Sequence, residues 1–156
     1  MTFTDLYHVG VVVADLDAAA AEFEQLLGMR WARPRQQTLR IRTEGGTITP
    51  RFRYTYSQGT TGQPLIELIE ATEGTPWWPG AGVTSALHHI GFWADPLAGT
   101  AARLSAAGAP VETAVLDRSG SPKVFTYHQL VHGPRVELVD PAQQEAMYAW
   151  INKEGG

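Results

Sequence analysis

The sequence predicts an α+β fold made of two tandem βαβββ modules, and three observations point there. Residues 7–23, YHVGVVVADLDAAAAEF, laid without gaps on residues 88–104, HHIGFWADPLAGTAARL, match in kind at His8/His89, Val9/Ile90, Gly10/Gly91, Leu16/Leu97 and Phe23/Leu104, an offset of 81. A second match, offset by 70, sets PLIELIEA (64–71) against PRVELVDP (134–141). Between these ends both halves pass from one helical pattern to three strand-like runs. Each half therefore opens with a histidine strand and closes with a glutamate strand.

The elements follow in order. After the first strand, Asp15 or Asp17 caps a helix in DLDAAAAEFEQLLG, with Leu16, Ala19, Ala20, Phe23, Leu26 and Leu27 on one stripe and Gly28 as the left-handed stop. TLRIR, TPRFRYTYS and LIELIE then read as strands, separated by EGG and QGTTGQ. TEGTPWWPGAGVTSA joins the halves. In the second half Asp95 is a natural N-cap, Pro96 suits the first helical position and Gly108 ends the helix. APVETAVL, KVFTYHQLV and RVELVD are its strands, divided by RSGSP and HGP. One domain is expected over residues 5–141, with modules at about 5–72 and 86–141. A closing helix over 142–156 has Ala146, Met147, Trp150 and Ile151 available for packing.

Composition narrows the chemistry. At 156 residues the chain suits one compact unit, and no apolar run approaches the roughly 20 residues of a bilayer span. MTFTDLYHV has neither the basic start nor the apolar core of a secretory signal, so the cytoplasm is the expected location. With no cysteine, any metal must be held by His, Asp or Glu. The net charge of −4 covers an uneven distribution: Arg30, Arg33, Arg35, Arg40, Arg42, Arg51 and Arg53 are seven of the twelve basic residues. One reading is a solvated strand face, since Arg51 and Arg53 alternate with Phe52, Tyr54 and Tyr56. The other is attraction of an anionic substrate. Nucleic acid is not an expected partner, because the rest of the chain is acidic and no reading motif is present.

Four polar residues stand in apolar strands. Leu65, Glu67 and Ile69 share one face of LIELIE, and Ile66 and Leu68 the other, so both faces read as buried. A carboxylate there must be paired, protonated or bound to a cation. Glu137 in RVELVD raises the same demand. ALHHIGFWAD holds two histidines, and regular strand alternation sends them to opposite faces, so His89 is matched with His8 and His88 faces away, as core or as support behind the ligands. If the halves pair about a pseudo-twofold axis, His8, Glu67, His89 and Glu137 converge. Two imidazoles and two carboxylates suit a divalent metal ion (Ni, Co, Zn, Mn, Mg or Fe).

At YHVGVVVADLD, PLIELIE, HHIGFWAD and PRVELVD the sequence resembles the vicinal oxygen chelate superfamily, which includes glyoxalase I, methylmalonyl-CoA epimerase, fosfomycin resistance proteins, extradiol dioxygenases and bleomycin-binding proteins. The resemblance implies a cupped mixed sheet of paired modules around a metal, the glyoxalase/bleomycin resistance/dioxygenase fold. It also implies His8, Glu67, His89 and Glu137 as ligands, and a homodimer. The ligand order looks most like glyoxalase I and the CoA epimerases.

A metal on a substrate carbonyl makes the proton on the adjacent carbon removable by a carboxylate. The expectation is therefore an isomerase, epimerase or lyase acting by proton transfer next to a metal-bound carbonyl, with Glu137 first and Glu67 second as proton carriers. Phe52, Tyr54, Tyr56, Phe125 and Tyr127 are expected to line the pocket of a small-molecule, apolar substrate, acyl or aromatic; Trp77 and Trp78 edge that pocket or a subunit contact. Two alternatives stand beside this: metal-independent sequestration of an aromatic antibiotic or metabolite, and extradiol ring cleavage.

Overall fold

In the computed structural model, residues 5–153 are described; residues 1–4 of the N-terminal reading and 154–156 of the expected closing helix lie outside them. Ten strands form one curled mixed sheet. At its centre β1 (Leu6–Val13) runs antiparallel to β7 (Ser85–Trp93), and each is flanked by the glutamate strand of its own half, β6 (Leu65–Glu70) and β10 (Arg135–Val139), in parallel. Outward follow β5 (Arg51–Tyr56) and β2 (Arg35–Thr38) on one side, and β9 (Pro122–Gln129) and β8 (Val111–Leu116) on the other. The order β2-β5-β6-β1-β7-β10-β9-β8 is thus symmetric about the β1/β7 seam.

The first half carries more than the expected three strands. TLRIR is not one strand. Its Thr38 ends β2, which pairs with β5, and Ile41 begins β3 (Ile41–Thr43), which pairs with β8 of the other half. A hairpin of β3 and β4 (Gly46–Ile48), turning at Glu44 and Gly45, thereby extends the far edge of the sheet and curls the cup toward closure. Fully buried Ile41 anchors this crossing in the main core.

Helix α1 (Leu16–Leu27) is capped by Asp15, whose carboxylate accepts from the Ala18 amide at 2.9 Å, and stops at Gly28 with φ 66°. Its packed stripe is shorter than expected. Leu16 is buried and Phe23 packs on Trp31, but Leu26 and Leu27 are 69% and 67% exposed, because the sheet face is already covered by the first two turns. Helix α2 (Leu97–Ala106) also begins differently. Pro96, extended at φ −75° and ψ 141°, is itself the cap and gives its carbonyl to the Thr100 amide, so Asp95 lies one residue too early to cap. Ala107 is the C-cap and Gly108, at φ 100°, follows it.

After a single 3-10 turn (Pro141–Gln143), α3 (Gln144–Ile151) packs Met147, Tyr148, Trp150 and Ile151 on the core, while Ala146 faces outward. Asn152 then exchanges hydrogen bonds with Gly59 at 2.8 and 3.2 Å, which ties the helix end to the first half. No helix among the described residues is long and apolar enough to cross a membrane.

Candidate metal centre

Strand register builds the site in two rows that cross the seam. In one, Tyr56 on β5 is opposite Glu67 on β6, Glu67 is beside Gly10 on β1, and Gly10 is opposite His89 on β7. In the other, Tyr127 on β9 is opposite Glu137 on β10, Glu137 is beside Gly91 on β7, and Gly91 is opposite His8 on β1. Both rows read Tyr, Glu, Gly, His. The glycine leaves room for the imidazole to lean across it toward the glutamate: a Cβ on Gly10 would overlap the His89 ring, and one on Gly91 would overlap that of His8.

The rings and acids meet. His8 Nε2 is 2.9 Å from Glu137 Oε2 and 3.4 Å from Glu67 Oε2; His89 Nε2 is 3.3 and 3.2 Å from the same atoms. The two Nε2 atoms are 2.8 Å apart, and all four donor atoms lie within 4.8 Å of one another. All four residues are buried. Although the nitrogens are close, they lie off the hydrogen-bond directions of the carboxylates, and both buried Oε2 atoms lack a donor. Lone pairs from four side chains thus face one point, an arrangement that fits a divalent cation and satisfies the orphaned oxygens. The donor set is nitrogen and oxygen only, which does not discriminate among first-row ions and magnesium.

Electrostatics agree with a shared site. Burial would lower both histidines, but the Glu137 and Glu67 carboxylates outweigh it, raising His8 above its usual value and His89 to about 9. Burial would raise both glutamates, and the two imidazoles overcome it, holding them below the ordinary carboxylate range. His88 differs. Burial first, then the charges of His89 and Arg135, lowers it to about 4.

The expectation that His88 faces away is corrected here. Between Gly10/His89 and Val11/Leu87 the register slips by one, so His88 is the extra residue of a β-bulge and its ring stays on the His89 side. His88 Nδ1 is 2.9 Å from His89 Nδ1, and His88 Nε2 is 2.7 Å from the Pro76 carbonyl oxygen. The same slip recurs between Leu6/Phe92 and His8/Gly91, where Tyr7 is the extra residue, its ring edge-on to His8 at 4.4 Å. Tyr7 and His88 are equivalent positions of the duplication.

Above the four lies a cavity of about 150 Å³. Glu67 and Glu137 line it together with Phe52, Tyr54, Tyr56, Phe125 and Tyr127, and with Tyr7 and Trp77. Trp77 is buried in the core and donates its indole N–H to the Tyr127 hydroxyl at 3.0 Å, whereas Trp78 is 40% exposed and lies outside the cavity wall. Of the seven clustered arginines only Arg35 lines the cavity, its guanidinium 4.0 Å from the Trp150 ring centre. Arg51 bonds Gln36, and Arg53 joins Asp17 and Glu70 on the outer face, as a solvated strand face requires. Trp77 lines the cavity whose edge the sequence suggested for it, whereas Tyr7 was not foreseen as a site element and Arg35 was not singled out among the seven arginines; the paired His-X-Gly spacing was the available signal for the glycines.

A curled sheet of paired halves around a buried His2Glu2 set defines a class, and the comparisons agree. Residues 7–125 match the family model of the glyoxalase/bleomycin resistance protein/dioxygenase superfamily, and the chain belongs to that superfamily. No curated protein matches the chain in sequence. Among solved structures it is similar to methylmalonyl-CoA epimerase from Mycobacterium tuberculosis (TM-score 0.65, 23% identity, 92% of each chain covered). It is also similar to a variant Streptomyces coelicolor methylmalonyl-CoA epimerase in complex with 2-nitronate-propionyl-CoA (TM-score 0.61, 22% identity, 89% of this chain and 98% of that one). A variant 4-hydroxymandelate synthase from Streptomyces coelicolor is similar over 90% of this chain and 39% of its own (TM-score 0.57, 19% identity). At these identities the likeness is one of fold.

Proposed function

We propose that the chain is a metal-dependent isomerase, epimerase or lyase that moves a proton on the carbon beside a substrate carbonyl. His8, Glu67, His89 and Glu137 hold the ion in this reading, within one domain over residues 5–141 that works as a cytoplasmic homodimer. The observation that carries it is the meeting of two imidazoles and two donor-less buried carboxylate oxygens at the floor of an aromatic cavity. A divalent ion held there supplies Lewis-acid polarisation of a substrate oxygen, which acidifies the neighbouring C–H.

Glu137 is the better proton carrier of the two acids. Tyr56 stands opposite Glu67 across the β5/β6 pair. Its counterpart opposite Glu137, Tyr127, has its hydroxyl engaged by the Trp77 indole at 3.0 Å instead. Glu137 is therefore the freer to swing, take a proton and return it. Its lowered pKa keeps it charged, and so able to accept, at neutral pH.

The cavity bounds the substrate. The partly open cavity of about 150 Å³, walled by aromatic side chains with Gln37, Gln143 and Arg35 among them, takes a benzene-sized group, so a short acyl chain or single ring fits inside. Any larger part must pass Arg35 into solvent.

Protein purified without chelators should carry about one divalent ion per chain. That ion should be lost in His8→Ala and Glu137→Ala. In deuterium oxide, acyl and aryl carbonyl compounds should exchange the hydrogen beside the carbonyl, and Glu137→Gln should slow this by about 10²–10⁴-fold. A metal-free protein that binds aromatic ligands without exchange would instead be a sequestration protein.

A further inference from the structure

We propose that His88 is a positioning residue, which fixes the tautomer of His89 so that the His89 Nε2 lone pair is the one presented to the metal. This rests on the metal reading above and concerns a residue outside the four ligands. The chain of hydrogen bonds allows one assignment. The Pro76 carbonyl can only accept, so His88 Nε2, 2.7 Å away, carries the proton. A neutral imidazole has one N–H, which leaves His88 Nδ1 as an acceptor. His89 Nδ1, 2.9 Å from it, must then donate. In the neutral ring, the form that takes the metal, the remaining nitrogen, His89 Nε2, is then left bare, and it faces Glu67, Glu137 and His8.

The relay is mechanical as well as chemical. The bulge keeps His88 on the site side of β7, Arg135 donates to its carbonyl at 3.2 Å while gripping Glu112 with two further bonds, and Tyr127 packs edge-on to the ring at 5.3 Å. Through Pro76 it also ties the linker between the halves to the ligand. The first half has no such device: Tyr7 takes the equivalent bulge, and His8 Nδ1 is buried without a partner. The two imidazoles of a symmetric site are thereby made unequal: His89 has its Nδ1 held by a hydrogen bond and His8 does not.

The test pairs two variants of the full chain with opposite expectations. His88→Phe keeps the ring and its packing but removes both nitrogens; His88→Asn loses the ring but keeps an oxygen able to accept from His89 Nδ1–H. Chelator competition with zinc should show affinity reduced about 10–100-fold in His88→Phe and largely retained in His88→Asn, with far-UV circular dichroism of both unchanged. The reverse order would make His88 a packing residue and overturn the proposal. Imidazole nitrogen NMR of the metal-free wild type at about pH 10 should show His89 protonated at Nδ1 and His88 at Nε2. The opposite tautomers overturn it whatever the metal result. Failure of the wild type to bind zinc, with the tautomers as stated, would remove the metal reading and leave the relay standing.

Discussion

The imidazole of His89 lies over Gly10, its direct partner across the β1/β7 seam, and no other residue type fits beneath it. Gly91 holds the same relation to His8. Gly10→Ala and Gly91→Ala should each displace a ligand ring. Overpacking of this kind costs about 1–3 kcal/mol, and because the ring moves off the metal point the larger effect falls on zinc affinity, a loss of at least ~10-fold. Isothermal titration measures it; an alanine variant that binds zinc like the wild type would place the rings elsewhere.

Removing a ligand should also weaken the metal-free fold. In His8→Ala the buried Glu137 and Glu67 lose one of their two cationic partners, at 2.9 and 3.4 Å. Breaking a buried charge cluster costs about 3–5 kcal/mol, which for a chain of this size lowers the melting temperature by roughly 6–20 °C. Scanning calorimetry in the presence of chelator is the check, and Glu67→Gln with Glu137→Gln in the same chain should recover part of the loss because no uncompensated charge is left.

The site was legible because duplication writes it twice. His8 and His89 share a spacing to Gly10 and Gly91, Glu67 and Glu137 share a strand pattern, and a twofold relation turns two repeats into one cluster. What escaped is what breaks regularity. Strand alternation assumes a continuous register, and the bulges at Tyr7 and His88 add one residue that no local propensity announces, so His88 was placed on the wrong face. The β3/β4 hairpin belongs to the first half in sequence and to the second in space; its pairing with β8 depends on an edge that only the assembled sheet provides. Leu26 and Leu27 follow the helical stripe but outrun the sheet beneath it. The aromatic lining was legible from strand periodicity, while Arg35 was hidden among six arginines that stay outside the cavity.

Arg35 gives a second handle on substrate choice. It is the cation of the cavity wall, held over Trp150, whose indole donates to the Arg33 carbonyl at 3.1 Å. Arg35→Met should raise KM for anionic substrates about 10-fold, leave kcat nearly unchanged and abolish the salt dependence of kcat/KM; uncharged substrates should be indifferent. Equal loss for both kinds would mean that Arg35 acts through the shape of the cavity instead.

The pH dependence should separate the metal-free from the loaded protein. His89 is raised from 6.5 to about 9 and His8 is raised in the same sense, so their contribution is complete below pH 6.5 and is lost as pH climbs through about 9. Glu67 and Glu137 are lowered from 4.5, so theirs is present above that value and is lost in acid. His88, lowered to about 4, opposes the other histidines: its neutral buried form costs stability as pH falls from 6.5. The three trends cross, and the melting temperature of the chelated protein should peak near pH 6.5 and decline toward pH 9. A bound divalent ion must displace the protons on His8 and His89, so the rise in melting temperature on adding the ion should grow over the same interval and level off above about pH 9. Two melting series, with chelator and with metal, should therefore diverge as pH rises; parallel curves would mean that the imidazoles are not where protons and metal compete.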